Sequence, residues 1–136
     1  MEIKASTIIF WILAAVLLIF GTLYIAWPIA PYHEGIIGMT AEELATNLPE
    51  INNLMVALVN VAGIGFLAIG IFIAYLGRRA WKEAGHWYTL FSVFIAFFLP
   101  LVYIVYAIGG PLVLAVAWAV IQGTGLGVSA TIDRNW

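Results

Sequence analysis

The sequence predicts an all-α integral membrane four-helix bundle, with both termini cytoplasmic and a short extra helix in the first outer loop. Three observations carry that prediction. The first is composition: of 136 residues, 65% are hydrophobic and only 9% are charged. A soluble domain carries about 25% charged residues, and a small water-soluble fold has too much surface per volume to hide so much apolar area. The second is segmentation. Four apolar runs reach or approach the ~20 residues that cross a hydrocarbon core. The third is charge placement. All five basic residues (Lys4, Arg78, Arg79, Lys82 and Arg134) fall on one side of the membrane that those runs define.

The first span covers about residues 6–27 and carries no charge. It is longer than a signal-peptide core of about 7–15 residues, so it reads as a retained span. Residues 28–53 form the first loop, which holds Glu34, Glu42, Glu43 and Glu50, four of the seven acidic residues. Pro28 and Pro31 deny a continuing helix its amide donors, and Gly35 and Gly38 loosen the chain. Thr40-Ala41-Glu42-Glu43 is a capping box, in which the Thr40 hydroxyl and the Glu43 carboxylate exchange bonds with each other's amides. It predicts a short helix from Ala41 to Leu48, with Leu44 and Leu48 on one face. Pro49 suits the first turn of the next helix.

The second span covers about residues 54–76, with Asn53, Asn60, Gly63 and Gly70 close to one helical face. The loop after it, with Arg78, Arg79 and Lys82, sets that side as cytoplasmic by the positive-inside rule. The third span covers about 87–108, with Pro100 expected to kink it. The fourth covers about 111–128 and ends in the run Gly123-Thr124-Gly125-Leu126-Gly127, read as a close-packing or flexible helix end. Helices are required because a short open sheet leaves backbone polar groups unsatisfied in lipid. Trp27, Tyr32, Trp81, Trp87, Tyr88 and Trp136 lie near the boundaries, where amphipathic rings anchor. The chain reads as one domain, 1–136, in the cell membrane.

Several chemistries are excluded by composition. There is no cysteine, hence no disulfide, thiol catalysis or thiolate metal site. The net charge of −2 offers nothing to nucleic acid. No span core holds Asp, Glu, Lys, Arg or His, which argues against an intramembrane proton relay, a voltage sensor or haem ligation. No cofactor and no metal site are expected. His33 and Glu34 are the only outer-loop pair with acid, base or ligand chemistry. Two adjacent residues do not make a metal site, and a hydrogen bond stapling the loop to the bundle is the plainer role.

Uncharged polar groups in the spans are the remaining candidates. Asn60, Tyr103, Tyr106 and Trp118 fall in the outer halves of their spans at about 1.5 Å per residue, Tyr24 lies near the outer end of the first, and Gln122 lies deeper. A few polar groups in an apolar lining match a small-molecule pocket. The same groups also serve as helix–helix contacts that satisfy one another.

Tyr32-His33, the T-x-E-E-L stretch Thr40–Leu44, Pro49, the glycine-bearing second span and the basic loop before His86-Trp87 resemble a pattern in small four-span prokaryotic membrane proteins of uncharacterised function. More loosely, the chain resembles the DoxX-like and emopamil-binding (EXPERA) four-helix bundles. That resemblance implies either a binder of sterols or other lipophiles or an accessory subunit of a quinone-linked oxidoreductase. The acidic in-membrane residues of such binders have no counterpart here, so it supplies no catalytic residue. Two functions are therefore expected to compete. One is a protein binding membrane lipid or another lipophilic small molecule through Asn60, Tyr103, Tyr106, Trp118 and Gln122. The other is an accessory subunit joined to a membrane-complex partner or to further copies of itself. An enzyme would have to work through His33 and Glu34.

Overall fold

A computed structural model describes residues 2–136. The elements are α1 (Ala5–Ala26), α2 (Pro31–Ile37), α3 (Ala41–Asn47), α4 (Pro49–Gly77), α5 (Ala84–Val93), a π-helical segment (Phe94–Phe98), α6 (Leu99–Ala107) and α7 (Leu112–Thr131). No strand occurs among the described residues. Four stretches are long and apolar enough to cross a membrane: α1, α4, the run Ala84–Ala107 and α7. The chain is an all-helical, small multi-pass membrane protein.

The element boundaries differ from those that hydropathy predicts where local chemistry acts. α4 starts at Pro49, five residues before the expected span, because Pro49 at its first turn loses no helical bond. α7 continues to Thr131, past the expected end at 128. Its glycine run is helical throughout, and Gly125 within it packs on Phe10 of α1. In the first loop, Pro31 opens a helix instead of preventing one, and α2 ends at Gly38, whose φ of 81° closes it in the left-handed conformation.

α1 is the packing centre, with α4 and α7 against it. Lipid tails are as apolar as leucine, so helices in a bilayer associate through close van der Waals fit rather than escape from water. The sequence provides that fit with glycine. Gly63, Gly70 and Gly77 recur every seven residues along α4 and meet Gly21, Ala14 and Phe10 of α1 in descending order, so the two helices run antiparallel. Phe10 is the wedge of the bundle. Its fully buried ring fills the space left by Gly77 on one side and Gly125 of α7 on the other.

The third span is not a uniform α-helix. The Phe94 carbonyl accepts from the Leu99 amide five residues on, which defines the π turn. Pro100 has no amide hydrogen, and in a regular helix its ring would press on the carbonyl of Ala96. The wider turn just before it relieves that conflict, as π-bulges do. Beyond it, α6 packs on α7 and the π segment, while no comparable contact joins it to α4 among the described residues.

The two ends of the bundle differ. The end carrying both termini is hydrogen-bonded shut. There the Ser6 amide donates to Asp133 Oδ2 at 2.7 Å, Trp87 Nε1 to the Leu126 carbonyl at 2.9 Å, and Trp136 Nε1 to the Ala80 carbonyl at 3.0 Å. The opposite end carries the short helices of the first loop and the turn between α6 and α7.

Candidate functional site

At that loop end, α1 presents Phe20, Leu23 and Tyr24, whose spacing of i, i+3 and i+4 places them on one helical face, and Trp27 follows at its C-terminal cap. After a break at Trp27–Ala30 the chain turns back as α2, and Ala30, Pro31 and Tyr32 face that row. The seven residues line an open-sided cleft of about 420 Å³ with an almost wholly apolar lining.

Local hydrogen bonds hold α2 in place. The Ala30 amide donates to His33 Nδ1 at 3.0 Å, while the Ala30 carbonyl accepts from the amides of His33 and Glu34. An imidazole nitrogen that accepts is unprotonated, so the ring is neutral with its hydrogen on Nε2. Burial favours the same state and pushes the His33 imidazole below its usual range. Glu34 Oε1 accepts from the Ala41 amide at 2.9 Å. Its carboxylate thus joins α2 to the N-terminus of α3, where negative charge is favoured. The Thr40–Glu43 box closes at 3.1 and 2.9 Å, and α3 lays Leu44, 1% exposed, against α4. His33 and Glu34 are therefore both committed to backbone amides of the loop.

Tyr24 links loop and core. Its ring centroid lies 6.3 Å from Tyr32, 5.5 Å from His33 and 5.2 Å from Phe66. Phe66 meets Trp118 edge-on at 5.4 Å, and Trp118 meets Phe20 edge-on at 5.1 Å. Phe20 and Tyr24 are one turn apart on α1, so these four rings close a circuit beneath the cleft. Edge-to-face pairs of this kind contribute about 0.5–1.5 kcal/mol each beyond burial. The Tyr32 hydroxyl is buried without a hydrogen-bond partner. Burial, with the Tyr24 phenol beside it, pushes the Tyr32 phenol well above the usual tyrosine range, so it stays a neutral donor.

The residues expected from sequence are dispersed. Tyr103 and Tyr106 are 71% and 70% exposed and face away from the bundle, which corrects their placement in a pocket. At about 100° per residue they fall roughly 200° and 140° round the helix from the inward-facing Leu101. Trp118 is buried in the aromatic circuit with its indole N–H unpartnered. Asn60 is half-buried with Oδ1 unpartnered, and Gln122, fully buried, donates from Nε2 to the Leu90 carbonyl at 3.1 Å. None of the five lines the cleft, although Trp118 packs on Phe20, which does. The residues that line it were legible in part, Trp27 and Tyr32 as boundary aromatics and Tyr24 as a polar group near the outer end of the first span, but the fold-back of α2 that turns them into a cleft was not.

No family model, curated protein or solved structure matches the chain.

Proposed function

We propose that this membrane protein binds a lipid-like or other lipophilic molecule in the cleft between α1 and α2. One observation supports the reading above the others: a cavity of about 420 Å³ with an apolar lining and two tyrosines lies at the less sealed end of the bundle. A volume of that order suits a small-molecule ligand. The apolar walls would take a hydrocarbon or ring system. Under the positive-inside rule the basic end is cytoplasmic, which puts the cleft in the outer leaflet of the cell membrane. Lipophile binding, one of the two functions that the four-helix resemblance implies, fits the same cleft.

The test is the small-molecule content of the purified protein. Native mass spectrometry of the wild type should show a discrete lipophilic adduct. Ala30→Phe, which places a ring in the cleft, should lose it while keeping its helicity. An adduct unchanged in Ala30→Phe would place the ligand elsewhere.

A second reading, an accessory subunit, rests on α7, where Ala117, Thr124, Gly127 and Thr131 lie exposed along one side. Small residues permit close helix approach. A strictly monomeric protein in mild detergent, with no co-purifying chain, would remove it.

A further inference from the structure

We propose that the basic end carries a second site, a cradle formed by Arg78, Arg79 and Lys82 that takes the phosphate group of an anionic phospholipid. These three side chains, with Glu2 and Trp81, line a cavity of about 320 Å³. Their convergence is a product of the local backbone. The Arg79 amide donates to the Leu76 carbonyl, and the amides of Lys82 and Glu83 donate to the Arg79 carbonyl, so the chain after α4 coils tightly instead of running on. The Trp81 indole donates to the Arg78 carbonyl at 3.2 Å, which fixes its ring in the wall. Lys4 Nζ lies 5.2 Å over that ring, and the Arg78 guanidinium lies 5.0 Å over Tyr75. The positive-inside rule asks only that a loop be basic. It does not ask that the cations meet around one cavity with an ordered tryptophan.

The charge balance leaves room for an anion. Lys4, Arg78, Arg79 and Lys82 supply four positive charges. Glu2 pairs with Lys4 and Glu83 with Arg79, which leaves two. Arg78 and Lys82 enter no ion pair among the described residues. Guanidinium groups hold phosphate oxygens with two parallel bonds, and ammonium adds a point charge. A zwitterionic headgroup would bring its own cation against Arg78 and Lys82, so an anionic one is selected.

The surface below the cradle suits acyl chains. Tyr75 is 57% exposed, and the exposed Trp11 ring is tied by Nε1 to the Ala74 carbonyl at 3.2 Å, across the α1–α4 seam. Chains held by a headgroup in the cradle would run over these rings. A soluble phosphate would satisfy the same cations but gain nothing from that surface.

The experiment offers the full-length protein equimolar phosphatidylglycerol and phosphatidylcholine in mild detergent and counts bound lipid by native mass spectrometry. The wild type should prefer phosphatidylglycerol by about fivefold for each uncompensated cation, the effect of a basic residue near an anionic headgroup. Arg78→Gln/Lys82→Gln should reach parity. Arg134→Gln, which removes a cation from the same end but outside the cavity, should keep the preference. Lys82→Gln alone should lower it about fivefold and serves as a second, milder variant. Excess inorganic phosphate, compared with chloride at equal ionic strength, should not displace the lipid. Displacement by phosphate alone would assign the site to a soluble anion and overturn the lipid. Equal binding of the two lipids by the wild type, or a preference surviving in the double variant, would overturn the cradle.

Discussion

Gly21 of α1 and Gly63 of α4 face each other so closely that a methyl group on either would reach the other's carbonyl oxygen, at 2.7 and 2.8 Å. Backbone cannot move aside as a flexible side chain can, so the helices would have to separate. Gly63→Ala should destabilise the bundle by about 1–3 kcal/mol, the usual range for overpacking. Gly65, two residues away, has open space where its Cβ would lie. Gly65→Ala should be neutral or stabilising, by up to about 1 kcal/mol of helix propensity. Unfolding in a denaturing detergent series checks both, and equal losses would contradict the close crossing.

Asp133 caps a helix whose second residue, Ser6, lies 127 positions earlier in the chain. Lys4 makes no side-chain cap on α1, and the Ser6 amide instead donates to Asp133 Oδ2. A carboxylate at a helix N-terminus satisfies an orphan amide and favours the dipole. Asp133→Ala should cost about 1–2 kcal/mol, and Asp133→Asn, which keeps an acceptor, less. Hydrogen exchange at the Ser6 and Thr7 amides should speed up most in Asp133→Ala.

The His33 latch should depend on pH. Burial lowers the His33 pKa in the folded protein, so the unfolded chain binds more protons in the window between the two values. Stability contributed by neutral His33 is therefore fully present above the unfolded pKa of about 6.5 and is lost as pH falls through the lowered folded value. Protonation of Nδ1 also removes the acceptor for the Ala30 amide. Tyr24 and Tyr32 pack against the imidazole, and the Tyr32 phenol, pushed up by burial, supplies no counter-charge. Exchange of the Ala30 and His33 amides should accelerate on going from neutral to mildly acidic pH. His33→Gln should abolish that pH dependence in the window, and its persistence would assign the effect to another group.

Gln122 makes one bond with a side chain that has two hydrogen-bonding ends: Nε2 reaches the Leu90 carbonyl, and Oε1 is buried without a partner. An interhelical bond in a membrane contributes about 0.6 kcal/mol on average, and the orphan oxygen offsets part of it. Gln122→Leu, close in volume, should change stability by less than about 1 kcal/mol. A loss of several kcal/mol in the same unfolding assay would mean that Oε1 has a partner of its own.

The helical bundle was legible because long apolar runs admit few alternatives, and the Thr40–Glu43 box marked the start of α3 because capping is local chemistry. α2 was not legible. Pro28 and Pro31 read as breakers, although proline at a first helical turn costs nothing, and the His33 bond that nucleates the turn is visible only in three dimensions. Tyr103 and Tyr106 misled for another reason. Sequence depth along a span does not give direction around it, and the π turn before Pro100 shifts the helical phase just below them. The cleft needed both pieces of information: an aromatic row on α1, which the spacing contains, and a helix folded back onto it, which the spacing does not.

Photoaffinity labelling maps the site most directly. A diazirine-bearing fatty acid, applied to the protein in detergent at limiting concentration, should label the segment from Phe20 to Tyr32, and unlabelled fatty acid should compete. Ala30→Phe should abolish that label. Labelling spread over outward-facing residues such as Tyr103 and Val113, unaffected by competitor or by Ala30→Phe, would show only lipid contact and contradict a ligand in the cleft.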